Sequence, residues 1–315
     1  MHGIYPRSAG LIAATRDVER RRTTPEEVAA RRAEDAAAFV DRQRAAGVHL
    51  FSDGLLSWQD LFRPLIEASD GLEPAGLVRW FDTNSFYRAP VVSGEPVLRD
   101  PAAVTPRAET PRPCVGTLPS PLLFSRVAHG VDDSASGRDA LMRALATRVL
   151  RPAAEHLAAN GCALVHLEEP WIVSHPVEET SWAAFAEALA DLGDGLGVPV
   201  ALHTSFGDAG PVIDRLRHLP LDALGVDLVE TDVGDLGHDW TVGLVAGAVD
   251  GRSSLVESVD ATAKVVAAAA EHTGAVAVYL TSGTSFDLLP EPLAAAKLDV
   301  LGQAAARLRD GEVRP

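Results

Sequence analysis

The sequence predicts a TIM-type (β/α)8 barrel, a single domain over residues 1–315, with an N-terminal helical extension and a long loop or hairpin insertion around 79–113. Three observations predict it. Short apolar, β-rich runs alternate with helix-like stretches through the second half, as in a parallel sheet wrapped by helices. The candidate strands total eight, the barrel number. The first run leads into Pro6-Arg7-Ser8 and not into the glycine-rich phosphate turn that usually opens a doubly wound sheet.

The elements follow in order. The first run is 3–6 (GIYP). A helix over 24–46 has Thr24 to cap it, Pro25 in its first turn and Glu27 three residues after the cap. The second run is 49–53 (HLFSD), with His49 at the end opposite the expected site. Residues 79–113 are proline-rich and aperiodic, and read as an excursion over one face with a hairpin around 89–95; ordered loops of this length are commonly functional. Strands follow at 114–118, 163–168, 198–204, 225–230, 242–250 and 275–281, with helices at 182–192, 258–271 and 290–309.

A formal charge of −16 argues against a nucleic-acid or anionic-membrane surface, so small molecules are the expected substrates. A partner barrel protein or a second copy of the chain is the expected protein partner. No apolar run reaches the ~18–20 residues of a membrane span, and the N-terminus lacks the basic-then-apolar order of an export signal. Cys114 and Cys162 therefore read as buried thiols of a cytoplasmic protein, not as a disulfide.

In such a barrel the site lies at the carboxyl ends of the strands. The runs end in Arg7, Asp53, Thr117, Glu168-Glu169, His203, Glu230 with Asp232, Asp250 with Arg252, and Thr281-Ser282. Together they describe a polar pocket. Each has a plainer reading: Glu168-Glu169-Pro170 as a solvated strand end, His203 as a buried histidine on backbone, Asp250 as a turn with Gly251, Arg7 in a surface ion pair. The aromatic group Trp80, Phe81, Phe86 and Tyr87 reads as loop packing before it reads as a stacking platform.

Taken in order, these segments resemble the cobalamin-independent methionine synthase family over nearly the whole chain. The resemblance rests on GIYPR at 3–7, SDGLLSWQDLF at 52–62, RWFDTNSFYRAP at 79–90, LEEP at 167–170, HTSFGD at 203–208, LPLDALGVDLVE at 219–230, GAVDGRSSLVES at 247–258 and SGTSFDLLP at 282–290. Several motifs are most similar to the amino-terminal, metal-free half of the two-barrel synthases. The family's catalytic barrel binds zinc through His, Cys, Glu and Cys, which makes a thiolate of the acceptor. Carried over, His203 and Glu230 match the histidine and glutamate, while Ser205 and a residue near Thr284 stand where the cysteines would be. A metal on His203 and Glu230 alone should bind weakly, so no resident cofactor or zinc is expected.

The resemblance implies methyl transfer from a 5-methyltetrahydrofolate-type donor to a thiol or related small acceptor. It implies catalytic roles for Glu168, Glu230, His203 and Arg252, the last aligning with the family's proton-donating histidine. Arg7 would hold a carboxylate with Arg252, Asp53 and Asp250 would contact pterin or amine, and Asn84 and Tyr87 would line the pocket. Leu55 stands near one of the family's amino-group acids, which puts homocysteine itself in question. Two other expectations remain open: a pterin- or folate-binding barrel that serves a partner, and a zinc-free C–S lyase or transferase of a specialised pathway.

Overall fold

A computed structural model describes residues 1–311 of the chain. Its strands are β1 (Ser69–Arg79), β2 (Phe86–Leu98), β3 (Cys114–Pro119), β4 (Cys162–Glu168), β5 (Val200–His203), β6 (Ala223–Asp227), β7 (Gly243–Val249) and β8 (Val278–Ser282). β3 to β8 form one parallel, curled sheet in chain order. Helices on the connections cover it, including Glu179–Gly193, Val259–Thr273 and Glu291–Arg309.

Alternation along the strands divides the core in two. Val165, Leu167, Leu202, Leu224, Val226 and Leu244 face the helical layer and join its large apolar cluster. Val115, Leu164, Ala201, Ala223 and Val245 form a separate small cluster on the other, concave face. Ala201 and Ala223 on that face, with Gly225 and Gly247 further along β6 and β7, leave room near the strand ends for bulkier polar side chains such as His203. With both faces covered, β3, β5, β6 and β7 are buried along their whole length, as parallel strands usually are.

The first two expected strands differ from their reading. Residues 49–53 contribute one parallel bridge, Phe51 with Cys114, which extends the sheet beyond β3. Residues 3–6 form no ladder. The Tyr5 N–H donates to the Gly54 carbonyl at 2.9 Å, and the His2 ring reaches the Ser282 carbonyl at 3.0 Å. The N-terminal segment thus spans from the 49–54 segment to the end of β8 without pairing with the rest of β8, whose Val278 is exposed.

The insertion also differs. The hairpin turn lies within 80–85 and not near 89–95, because β2 pairs antiparallel with β1, a strand that precedes the expected insertion. Prolines are tolerated there because the pair is a two-stranded ribbon whose outer edges carry little further pairing, one bridge of Val91 with His129; Pro74 and Pro90 even face each other. The helical extension is as expected. Thr24 caps the Pro25–Ala46 helix by accepting from the Glu27 N–H, and Gly47 closes it in the left-handed region at φ 74°. No helix among the described residues is long and apolar enough to cross a membrane.

Candidate active site

At the carboxyl ends of the strands lies a cavity of about 220 Å³ between the sheet, the N-terminal segment and the β1–β2 ribbon. Arg7, Asp60, Glu168 and Asp287 supply its charge, and Trp80, Tyr87 and Phe206 its aromatic walls. Glu168 ends β4 and its side chain is buried. Its Oε1 lies 2.5 Å from His2 Nδ1 and 3.9 Å from His166 Nδ1. The second nitrogen of His2 faces a carbonyl, which can only accept, so Nε2 carries a hydrogen. Nδ1 and Oε1 form a short hydrogen bond that ties His2 to Glu168 at the cavity wall.

Gly3 makes this approach possible. Its φ is +68°, and a Cβ there would stand 2.6 Å from Ser285 Cβ and 3.2 Å from Glu168 Oε1. Behind the cavity, His203 and His166 are fully buried, with His166 Nε2 3.1 Å from His203 Nδ1. Burial, then the neighbouring His2, holds both imidazoles well below the usual histidine range. Gly225 gives His203 its place, since a Cβ there would lie 2.5 Å from the ring.

The expected residues separate into two groups. Glu168, Arg7 and Tyr87 line the cavity, with Arg7 held by the Trp58 carbonyl. Arg252, Glu230 and Asp250 form a neighbouring network. Arg252 pairs with Glu230, and its guanidinium lies 5.6 Å from the centre of the Phe206 ring, whose residue also lines the cavity. Asp250 accepts from the Arg252 N–H at 2.7 Å, which is the turn reading.

Among the expected residues, Glu230, His203, Asp53 and Asn84 lie outside the cavity lining. β6 ends at Asp227, so Glu230 lies beyond the strand on the exposed rim. His203 points behind the cavity and does not line it. Asp53 caps the Leu55 N–H and faces Arg107, and Asn84 sits exposed in the ribbon turn; neither lines the cavity. Glu168 and Glu169 are both buried, which excludes the solvated strand end. Glu169 accepts from the Ser120 hydroxyl and the Leu123 and Ile172 N–H groups, while burial raises it to about 7.

Sequence reasoning missed His2, His166, Phe206, Asp227 and Asp287. His166 was legible, being two residues before Glu168 and so on the same strand face. Asp227 is buried at the end of β6, and desolvation raises it to about 6. Asp287 accepts from the Ser285 hydroxyl at 2.5 Å, and burial raises it too.

The thiolate-zinc arrangement does not fit these residues. His203 is enclosed while Glu230 is turned to Arg252, and among the described residues no cluster of three or more ligand-type side chains contains both. Cys114 and Cys162 are buried free thiols at the starts of their strands, 3.1 Å apart and at the wrong end of the sheet. Ser205 and Thr284 are neutral hydroxyls.

Residues 68–274 match the family model described as the cobalamin-independent synthase N-terminal domain. The chain belongs to this family. A 5-methyltetrahydropteroyltriglutamate–homocysteine methyltransferase of Streptomyces griseus is 32% identical over 213 residues, covering 62% of this chain and 27% of that protein. The similarly named protein of Mycobacterium tuberculosis is 27% identical over 253 residues, covering 76% of this chain and 32% of that one. This family member thus spans about a third or less of those relatives. Among solved structures, a B12-independent methionine synthase from Shewanella in complex with selenomethionine superposes with a TM-score of 0.72 at 18% identity, covering 92% of this chain and 91% of that chain. A putative vitamin-B12-independent methionine synthase from Listeria monocytogenes gives 0.74 at 16%, covering 99% and 96%. These two similarities establish the fold.

Proposed function

We propose that this family member transfers a methyl group from a 5-methyltetrahydrofolate-type donor to a thiol or related small acceptor, at the rim cavity and without a thiolate-zinc site. The barrel is read as closed, with the N-terminal segment and residues 49–54 standing for the first two strands, and the protein as cytoplasmic. The observation that carries the reading is the 2.5 Å hydrogen bond between Glu168 and His2 at the wall of an aromatic, strand-end cavity. Its volume of about 220 Å³ suits an amino-acid-sized acceptor or one bicyclic ring, and falls below the roughly 300–1,000 Å³ that encloses a drug-sized ligand. The rest of a pteroylglutamate would lie across the open rim.

The chemistry balances without a metal. The acceptor S–H loses its proton to Glu168, sulfur takes the methyl carbon, the donor's C–N bond breaks, and the freed ring nitrogen takes a proton. Glu168 and His2 can hold that proton between the two events. Arg7 is placed for a carboxylate of the acceptor, and Arg252 for the glutamate tail of the donor. Glu230 and Asp250 orient Arg252, and Tyr87, Trp80 and Phe206 stack on the pterin.

The experiment is turnover with methyl-labelled donor and a panel of small thiols, using the wild type and Glu168→Gln. Labelled methyl on the thiol, reduced at least about 100-fold in the variant, supports the assignment. Equal rates in both proteins contradict it.

The match to the N-terminal domain favours a second reading, a pterin- or folate-binding barrel that serves a zinc-bearing partner. That reading predicts donor binding by the isolated chain, with no transfer until the partner is added.

A further inference from the structure

The geometry points to a metal site that the thiolate-zinc arrangement does not contain: a divalent first-row transition ion, zinc foremost, held by His2, His166 and His203 in the core of the sheet. We propose it independently of which small molecule occupies the rim cavity. One ring nitrogen from each histidine lies within 4.8 Å of the others, and this is the one such cluster among the described residues. The three side chains are buried at 1%, 2% and 0% exposure. They come from three separate segments, the N-terminal segment, β4 and β5, and are brought together only by the fold.

Hydrogen bonding leaves two of the six ring nitrogens of this cluster without a partner. His166 Nε2 and His203 Nδ1 face each other at 3.1 Å, so one donates and the other accepts. Whichever way that proton lies, His166 Nδ1 and His203 Nε2 remain buried without a partner, one as N–H and one as lone pair. Buried polar atoms are normally satisfied, and two orphans on adjacent imidazoles call for an explanation.

A metal in place of the shared proton makes both orphans N–H donors, His166 Nδ1 toward Glu168 Oε1 and His203 Nε2 toward the Gly283 backbone. Nitrogens bound at about 2.0–2.1 Å to one tetrahedral zinc stand about 3.3 Å apart, close to the 3.1 Å already present. His166 then carries its hydrogen on Nδ1, which faces Glu168 Oε1 at 3.9 Å. His2 donates to the same carboxylate from Nδ1 and turns Nε2 from the Ser282 carbonyl to the ion. This is the carboxylate–histidine–metal relationship that fixes ring tautomers in metal sites. A set of three imidazoles beside a carboxylate suits zinc, copper, nickel or ferrous iron, and not calcium or magnesium.

Glu168 gives the ion a consequence at the rim. The carboxylate that lines the cavity would be held by two metal-bound imidazoles, so the metal positions Glu168 without touching substrate.

The test uses full-length protein stripped of metal with a chelator and titrated with Co²⁺ and Zn²⁺. The expected result is one equivalent bound, with the visible bands of nitrogen-ligated Co²⁺ displaced by Zn²⁺. His166→Gln should weaken zinc binding by more than about 100-fold, Glu168→Gln by the ~10–100-fold typical of an outer partner, and Glu230→Gln not at all. Ring ¹⁵N shifts of the wild type on adding zinc give a reading independent of whether His166→Gln folds: three histidines should move together. No stoichiometric metal at saturating zinc, or no response of the three rings, would overturn the proposal and leave three buried histidines without a metal. Binding that survives His166→Gln but is lost in Glu230→Gln would place the ion at the rim and overturn it equally.

Discussion

Asp227 and Glu169 are buried carboxyls whose protonated forms the fold prefers. Burial holds Asp227 at about 6 against an ordinary value of 3.8. A group raised in the folded state is more stably bound to its proton there than in the unfolded chain. Stability from this source is therefore full below about pH 4 and is lost as pH rises to about 6, a change of up to about 3 kcal/mol. Glu169, raised to about 7, carries the same sign to higher pH. Asp227→Asn should flatten the wild-type decline in urea midpoint between pH 4 and pH 6.5, and should be the more stable protein at neutral pH. Parallel curves for the two proteins would show that Asp227 titrates normally. Neither group was singled out for burial in the sequence, because nothing in GVDLVE or LEEP says which carboxyl turns inward. Strand register decides that, and register is a tertiary property.

The β1–β2 ribbon is the element that makes the cavity. Its turn brings Trp80 against Tyr87, with ring centroids 5.7 Å apart, and Phe81 in parallel contact with Phe206 at 5.6 Å. Phe206 holds a left-handed backbone at φ 67°, uncommon for an aromatic residue, and thereby stands between the cavity and Arg252. Phe206→Ala should raise the dissociation constant of a pterin ligand about tenfold, near 1.4 kcal/mol, measured by calorimetry. Trp80→Ala should cost about 2 kcal/mol of stability as well as affinity, since Trp80 is only partly buried and also packs on Phe62. An unchanged melting temperature would mean that the ribbon is docked by other contacts. The ribbon was only half legible. Its composition marked an unusual segment, but bulges and three prolines in paired strands obscure the period-2 pattern that signals a hairpin. Four of the helices and six of the strands were plain because their caps and apolar runs are local features.

At the scale of the whole molecule, the curled sheet converges its strand ends on one rim, as the resemblance implied, and the family match follows from residues spread along most of that sheet. The collinear motifs, more than any single residue, made the family legible. The site was less so, because His2 is far in sequence from every residue it touches and His203 turns away from the cavity it was expected to line. Methyl transfer by the Glu168 cavity remains the proposal that most needs a test. The most direct measurement is a single-turnover reaction of the purified protein with carbon-labelled methyl donor and small thiols, read by mass spectrometry. Labelled thioether is expected from the wild type, and at least about 100-fold less from Glu168→Gln at equal folded fraction. Donor bound stoichiometrically with no label transferred, in both proteins alike, would contradict it and leave the chain a binding barrel.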